Sequence, residues 1–420
     1  MSRAEPIQTS DAPRRVRRRR VFYIPGYDPI HPRRYRELYR KESAAQAAIS
    51  GYDIALKPKQ TKGPYGWHIT STQDKEQVDT DIEVLVWSDI VRDSMATSIP
   101  GTYLQLVRTA ATYIGSGALW RLMKLRKGPV IAALYPVGML LLQLLLAVLL
   151  ARLAYDLGQI LAVTEALTLP VRALGFLIAA AVLVVVLRWF RARDNKLFVY
   201  YLMHDYAYSA ASNGADPPEL EARMSEFATQ IRAALEAGDA DEVLVVGHSS
   251  GAHVGVSVLS DIIRDGLPKD APVLSFLSLG QVVPMVSFLP DAHRLRADLA
   301  FLSQRDEITW VDVSAPGDGC AFALCDPVSV SGVAREGKRW PLVFSAAFTQ
   351  TLSPDRWAEL RWRFFRLHFQ YLCAFDQVGD YDYFRITAGP RTLGDRYEGR
   401  QPSKSRIETA VSKFTSTVAS

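Results

Sequence analysis

The chain has 420 residues, 49% of them hydrophobic, and it carries a net charge of +5. This length allows one large domain or two medium ones. Its three cysteines are too irregularly spaced for a secreted disulfide scaffold or a zinc site, so they predict reduced thiols on the cytoplasmic side.

The basic excess lies near the N-terminus, where residues 14–20 hold six arginines in seven positions. We expect residues 1–20 to form a disordered, solvated arm that is drawn to anionic lipid. Nucleic-acid binding is not expected, because no aromatic-and-basic module follows the arm. A twin-arginine export signal is excluded too, since the segment after the arginines is short and polar.

The first soluble segment, residues 21–120, contains strand and helix patterns in turn. Residues 20–27 (RVFYIPGY) predict a strand that ends in a Pro-Gly turn, and residues 32–49 predict a helix. Residues 66–72 and 82–87 predict two further strands. This segment therefore indicates one part of an α/β domain.

Two long apolar runs interrupt the soluble pattern. Residues 129–151 contain no charged residue, and residues 166–187 contain only Arg172. A helix of about 20 apolar residues crosses the ~30 Å hydrocarbon core of a bilayer. The sequence therefore predicts a two-helix transmembrane hairpin within residues 121–196. Two buried core helices are the weaker alternative, because such helices rarely stay apolar on all sides.

Basic residues flank both outer ends of this hairpin. Four of them precede the first run and four follow the second: Arg121, Lys124, Arg126 and Lys127, then Arg188, Arg191, Arg193 and Lys196. The stretch between the runs and the second run together carry only Arg152 and Arg172 as bases. The positive-inside rule therefore predicts an inner-membrane protein with two spans and with its soluble segments on the cytoplasmic side. The segments before residue 120 and after residue 196 can then fold together.

The second soluble segment, residues 197–400, continues the alternation. Helices are predicted over residues 217–237, 250–264 and 291–303, and strands over residues 241–247, 272–280, 308–314 and 341–348. Such alternation implies an α/β fold with a mostly parallel sheet and helices on both faces. We expect residues 401–420, rich in Ser, Thr and charge, to form a disordered tail.

The segment VVGHSSGAHVG, residues 245–255, carries the chemical signal. It places Ser249 in a G-x-S-x-G pattern between a predicted strand and a predicted helix. The pattern alone is weak, but this setting is that of a nucleophilic serine on a sharp strand-to-helix turn. In a parallel sheet the active site lies at the carboxyl ends of the strands, where Ser249 is expected.

Residues 21–118 and 197–400 resemble the α/β-hydrolase fold, and residues 245–255 resemble its nucleophile segment. Residues 22–29 (FYIPGYDP) are similar to that family's first core strand and oxyanion loop, with Pro25-Gly26 in place of the common His-Gly pair. The resemblance implies a nucleophilic Ser249 and an oxyanion hole made by backbone N–H groups of Gly26, Tyr27 and Ser250.

A nucleophilic serine needs a base, and the chain order of this family is nucleophile, acid, base. Of the seven histidines, His253 follows Ser249 too closely and His293 precedes the strand whose end should carry the acid. His368 satisfies the order. The acid is expected beyond residues 308–314, with Asp318 first, Asp312 second if the strand ends early, and Asp326 third.

These features predict a membrane-bound, lipase-like serine hydrolase that cleaves a lipophilic ester or thioester through an acyl-enzyme. The expected partners are the bilayer and an acyl substrate that arrives from it. We expect no cofactor and no metal, since the sequence contains no nicotinamide fingerprint, phosphate loop or metal-ligand cluster. Two alternatives stay open: an acyltransferase that uses the same residues, and an inactive hydrolase fold that serves as a membrane scaffold.

Overall fold

The structure is a computed structural model that describes residues 15–59, 62–95, 98–160 and 165–419. The predicted N-terminal arm is therefore described only from Arg15 onward. Residues 161–164, in the predicted connector of the hairpin, also lie outside the described ranges.

Eight strands form one sheet in the described part of the chain, in the order β2-β3-β4-β1-β5-β6-β7-β8. Neighbours from β4 to β8 are parallel, whereas β2 and β3 form an antiparallel edge beside β4. The predicted mostly parallel α/β sheet is therefore confirmed. The strands are β1 Arg18–Ile24, β2 Asp53–Pro58, β3 Gly66–Gln73, β4 Glu76–Val84, β5 Glu242–His248, β6 Val273–Leu279, β7 Ile308–Ser314 and β8 Leu342–Ser345.

The helices cover both faces of the sheet and one of its ends. In chain order they are α1 Arg33–Ser50, α2 Ser88–Ser94, α3 Ile99–Gly115, α4 Ala118–Leu125, α5 Lys127–Gln159, α6 Glu165–Arg191, α7 Asp194–Leu197, α8 Val199–Ala211, α9 Pro218–Ala237, α10 Gly251–Arg264, α11 Val283–Ser287, α12 His293–Leu302, α13 Pro327–Val330, α14 Phe348–Thr351, α15 Pro354–Leu360, α16 Phe364–His368, α17 Tyr383–Ala388 and α18 Leu393–Arg396. A 3₁₀ turn, Phe369–Leu372, follows α16.

The central strand β5 (EVLVVGH) is buried along its whole length, as expected for a strand covered on both faces. The helix before it, α9, begins with Pro218 and ends at Gly238, which adopts the left-handed backbone typical of a helix end. The buried face of α9 includes every position that the sequence pattern predicts, namely Leu220, Met224, Phe227, Ile231 and Leu235. Hydrophobic periodicity therefore places this helix correctly.

The expectation of a disordered arm up to residue 20 is wrong at its end, because β1 begins at Arg18. Arg19 is fully buried: its Nε donates to Glu242 at 2.7 Å, and its other nitrogens donate to the carbonyls of Gly389 and Arg391. A buried arginine is tolerated where a partner charge and hydrogen bonds compensate its lost hydration. The end of the arginine run therefore forms the start of β1, in the middle of the sheet.

The expectation of a disordered tail is also wrong for residues 401–419. Ile407 donates its N–H to the carbonyl of Leu324 at 2.7 Å and forms a parallel bridge with Cys325. The carbonyl of Ser416 accepts from the Nε of the buried Arg296 at 2.7 Å. The tail lacks regular structure, and its backbone bonds go to scattered partners, among them the carbonyl of Val343 in β8, which accepts from the N–H of Ser403 at 3.0 Å.

Two helices are long and apolar enough to cross a membrane, Lys127–Gln159 and the segment Leu169–Arg191 of α6. At 1.5 Å per residue, the 33 residues of α5 extend about 50 Å, well beyond a ~30 Å hydrocarbon core. Its first turns pack against α3 and α8, whereas most side chains beyond Leu140 are exposed. We call the packed first turns of α5, residues 127–140, the foot of the hairpin.

The strand order reverses between β1 and β5. From β1 the chain leads to β4 on one side, while β5 and its successors lie on the other side. In open parallel sheets, ligands bind outside the carboxyl ends of the strands at such a switch point. β1 ends at Ile24, just before Pro25-Gly26, and β5 ends at His248, just before Ser249. The fold therefore brings the two predicted site segments together.

Candidate active site

Ser249 occupies the turn between β5 and α10 with a left-handed backbone, φ +57°. A side chain other than glycine rarely adopts this conformation, and it is characteristic of the strained nucleophile turn. The N–H of Ser249 donates to the carbonyl of Leu279 at 2.9 Å, which ties the turn to the end of β6. The side chain is partly exposed and lines a cavity.

The two glycines of the pattern are required by close packing. A Cβ at Gly251 would lie 2.1 Å from the carbonyl oxygen of Ile24, so any side chain here would collide with the end of β1. A Cβ at Gly247 would lie 2.6 Å from the carbonyl oxygen of Gly251. Both glycines therefore allow α10 to begin directly against the sheet, which fixes where the serine points.

His368 lies in the same cavity as Ser249, at the end of α16. Its Nδ1 hydrogen-bonds to Oδ2 of Asp318 at 2.7 Å, and both side chains are buried. The other ring nitrogen, Nε2, is buried without a hydrogen-bond partner. An imidazole whose Nδ1 proton is held by a carboxylate carries its free basic nitrogen at Nε2.

Asp318 lies in a loop just beyond β7 and accepts two further hydrogen bonds. The hydroxyl of Tyr371 donates to Oδ2 at 3.0 Å, and the N–H of Cys320 donates to Oδ1 at 2.9 Å. Tyr371 in turn accepts the N–H of Ala315 at 2.9 Å. The carboxylate that faces His368 is therefore fixed from three directions.

The other two acid candidates face different partners. Asp312 is buried within β7, accepts from Ser278 at 2.6 Å, and has its pKa raised to about 7 by burial. Asp326 caps α13 by accepting from the N–H groups of Val328 and Ser329, and it pairs with Lys338. Among the three acid candidates, Asp318 is the one that contacts His368.

His248, the residue before Ser249, supports His368 in a way that the sequence analysis did not foresee. Its Nε2 contacts the backbone carbonyl of His368 at 3.0 Å, and the two imidazole rings lie 4.8 Å apart. Burial and the neighbouring His368 lower the pKa of His248 to about 3. His248 therefore stays neutral and donates to that carbonyl, which positions His368 through its main chain.

The loop after β1 forms another part of the cavity wall with Gly26 and Tyr27. A Cβ at Gly26 would lie only 2.9 Å from the Cβ of Ser249, so this backbone touches the serine. Asp28 holds the loop by accepting from the hydroxyl of Tyr35 at 2.7 Å and from its own Ile30 N–H at 2.9 Å. Within the described chain, the N–H groups of Tyr27 and Ser250 donate no hydrogen bond to another residue.

Helix α8 supplies much of the remaining wall, including one acid. Asp205 lines the cavity with Tyr201 and Tyr206, and burial raises the pKa of its carboxyl to about 7. The sequence analysis missed this residue, because a single acid among aromatic residues on a helix gives no motif. Pro129 at the foot of α5 lines the same cavity.

Among the described residues, Asp318, Cys320 and His368 place their donor atoms within 4.8 Å of one another, as a metal site could. Burial raises the pKa of the Cys320 thiol well above its usual value, with Asp318 and Asp205 adding to the effect. A metal would need the thiolate and would compete for the Nδ1–carboxylate hydrogen bond. The three side chains fit a hydrogen-bonded acid-base pair better than a metal centre.

Comparison of the chain with models of protein families, with curated proteins and with solved structures finds no match.

Proposed function

We propose that this chain is a serine hydrolase of the α/β-hydrolase type that cleaves a lipophilic ester or thioester. The observation that carries the proposal is the arrangement around His368. Its Nδ1 is held by Asp318 at 2.7 Å, and its unpartnered Nε2 is buried in the cavity that Ser249 lines. A nucleophile, a base and an orienting acid are the parts that acyl transfer needs.

In the proposed reaction, Oγ of Ser249 attacks the carbonyl carbon while Nε2 of His368 takes the hydroxyl proton. Asp318 keeps the proton of the imidazole on Nδ1 and stabilises the imidazolium. The tetrahedral oxyanion accepts hydrogen bonds from the N–H groups of Ser250 and of the Gly26–Tyr27 turn. The imidazolium then protonates the departing alcohol or thiol, which leaves an acyl-serine that water hydrolyses by the reverse proton movements.

Exposed aromatic residues that neighbour Phe365, in the chain or by ring contact, support a lipophilic substrate. Phe365 lines the cavity and packs against Phe198 at 5.4 Å, and Phe198, Trp362 and Phe364 are 42%, 72% and 44% exposed. Arginines alternate with these rings in residues 361–366 (RWRFFR). Aromatic and basic residues together are typical of a membrane–water interface.

The hairpin supports a substrate that comes from a bilayer. We propose that α5 and α6 cross the inner membrane, with both soluble segments on the cytoplasmic side as the flanking basic residues favour. Phe198 follows α6 by a few residues, and Pro129 at the foot of α5 lines the cavity. The mouth of the cavity would then lie at the membrane surface.

The experiment that tests the proposal is labelling of the detergent-solubilised chain with a fluorophosphonate probe. We expect the wild type to be labelled, and Ser249→Ala and His368→Ala to lose labelling and ester turnover while remaining folded. Ser209→Ala removes another hydroxyl that lines the same cavity, so it should keep labelling. A chelator should change nothing, whereas inhibition by a chelator would favour a metal at Asp318, Cys320 and His368.

An unlabelled wild type would favour the inactive membrane scaffold instead. Labelling together with faster consumption of ester when an alcohol is added would favour acyl transfer, since an alcohol would then replace water in the second step.

A further inference from the structure

A second cavity lies beside the candidate active site between helices α3, α4, α5 and α8. We name it the apolar chamber. Its lining is hydrocarbon apart from the hydroxyls of Thr109 and two tyrosines. The apolar lining includes Ala110, Leu122, Ala133 and Val137.

The chamber and the active-site cavity share a wall. Tyr113, Tyr206 and Met285 line both of them, and the hydroxyl of Tyr113 donates to the backbone carbonyl of Met285 at 3.0 Å. The two cavities therefore adjoin across three side chains. One cavity holds the polar groups of the reaction, and the other offers almost none.

The chamber also adjoins the longer of the two apolar helices. Ala133 and Val137 belong to the first turns of α5, and farther along that helix most side chains are exposed and apolar. Apolar cavities stay dry or bind an apolar ligand. A ligand that is polar at one end and hydrocarbon at the other matches the two adjoining cavities.

We infer that the apolar chamber holds the acyl chain of the substrate whose carbonyl Ser249 attacks. This inference rests on the proposed hydrolase function and assigns its substrate class: esters or thioesters of medium- to long-chain fatty acids. Each methylene buried in the chamber should raise kcat/KM by about fourfold until the chamber is full. The rotation of Tyr113 or Met285 away from the shared wall would admit the chain.

The test is the chain-length profile of the solubilised chain on p-nitrophenyl butyrate, laurate and palmitate. Ala110→Phe and Ala133→Phe place a ring in the chamber from two different helices. We expect each to lower kcat/KM on palmitate about tenfold or more, the loss of two or more buried methylenes, while butyrate turnover changes little. Ala111→Phe adds the same ring to the exposed side of α3 and should keep the wild-type profile.

Three outcomes separate this inference from the proposed function. If both chamber variants lower butyrate and palmitate turnover equally, or change neither, the chamber does not hold the chain, although the hydrolase proposal stands. If the wild type neither hydrolyses ester nor labels with fluorophosphonate, the hydrolase proposal fails. In that case, a photoreactive fatty acid added to Ser249→Ala tests by itself whether the chamber binds an acyl chain. Crosslinks on α3 or α5 that Ala110→Phe abolishes would support binding, and the absence of such crosslinks would overturn the inference.

Discussion

Replacing Asp318 by asparagine tests the assignment of the acid with almost no change in shape. Oδ1 can keep the hydrogen bond from the Cys320 N–H, which leaves the new amide NH₂ where Oδ2 accepts from His368 and Tyr371. An NH₂ group cannot accept the Nδ1 proton. The imidazole would therefore move its proton to Nε2 and lose the basic nitrogen that the proposed reaction requires.

A wrong imidazole tautomer costs on the order of 10⁴ in rate, or about 5 kcal/mol of activation free energy. The matched control is Asp312→Asn, in which the carboxyl that changes is bonded to Ser278 and not to His368. We expect this control to keep kcat/KM within about threefold of the wild type.

The control also has its own pH signature. Burial raises the pKa of Asp312 from 3.8 to about 7, so the folded protein holds this proton more tightly than the unfolded chain does. The stability that it contributes is complete below about pH 4 and is lost as the pH rises through about 7. Asp312→Asn should therefore stabilise the protein more at alkaline than at acidic pH.

The assays are kcat/KM on p-nitrophenyl butyrate, the rate of fluorophosphonate labelling, and urea unfolding at several pH values. Asp318→Asn activity within tenfold of the wild type would refute the assignment of Asp318. A crippled Asp312→Asn, with Asp318→Asn intact, would transfer the role to the residue inside β7.

Three further predictions follow from close contacts, buried charge and topology. Gly26→Ala should lower kcat/KM by about 10² or more, because its Cβ would lie 2.9 Å from the Cβ of Ser249 and shift the proposed oxyanion turn, whereas Gly115→Ala has open space and should be neutral. Arg19→Met should cost about 3–5 kcal/mol in urea unfolding by leaving Glu242 buried without a counter-charge, whereas Arg18→Met, at an exposed site, should cost less than about 1 kcal/mol. An export-dependent phosphatase should be inactive when fused after Ser420 and active when inserted after Ile160, and the reverse pattern would place the soluble segments outside the cytoplasm.

The parts of the fold that follow from local pattern could be predicted from the sequence. The buried run of β5, the five buried positions of α9 and the two long apolar helices each carry their signal within one segment. The turn at Ser249 could be placed because its glycines and its flanking elements are consecutive in the chain. The pairing of His368 with Asp318 joins residues 50 positions apart, and only the chain order of a resembling family suggested it.

The predictions of a disordered arm and a disordered tail were wrong because residues far away in the chain provide partners that the local sequence does not show. Six arginines in seven positions predict a solvated arm. Arg19 is nevertheless buried, because Glu242 and two backbone carbonyls more than 200 positions away accept its hydrogen bonds. The tail shows no hydrophobic periodicity, yet its backbone forms hydrogen bonds with the loop that contains Leu324 and Cys325. Asp205 and His248 support the site from surroundings that no spacing rule describes.

The position of the hairpin is the feature that links the site to the proposed membrane. At its foot, a Cβ on Gly128 would lie 3.4 Å from the Cα of Gly319, the residue directly after Asp318. Arg126 donates to the carbonyl of Ala323 at 2.8 Å in the same loop. The acid of the proposed triad is therefore carried by a loop that rests on the first turn of α5. A displacement of that helix would reach Asp318 through backbone contacts, so removing residues 127–191 should disturb the acid-base pair as well as detach the domain from the bilayer.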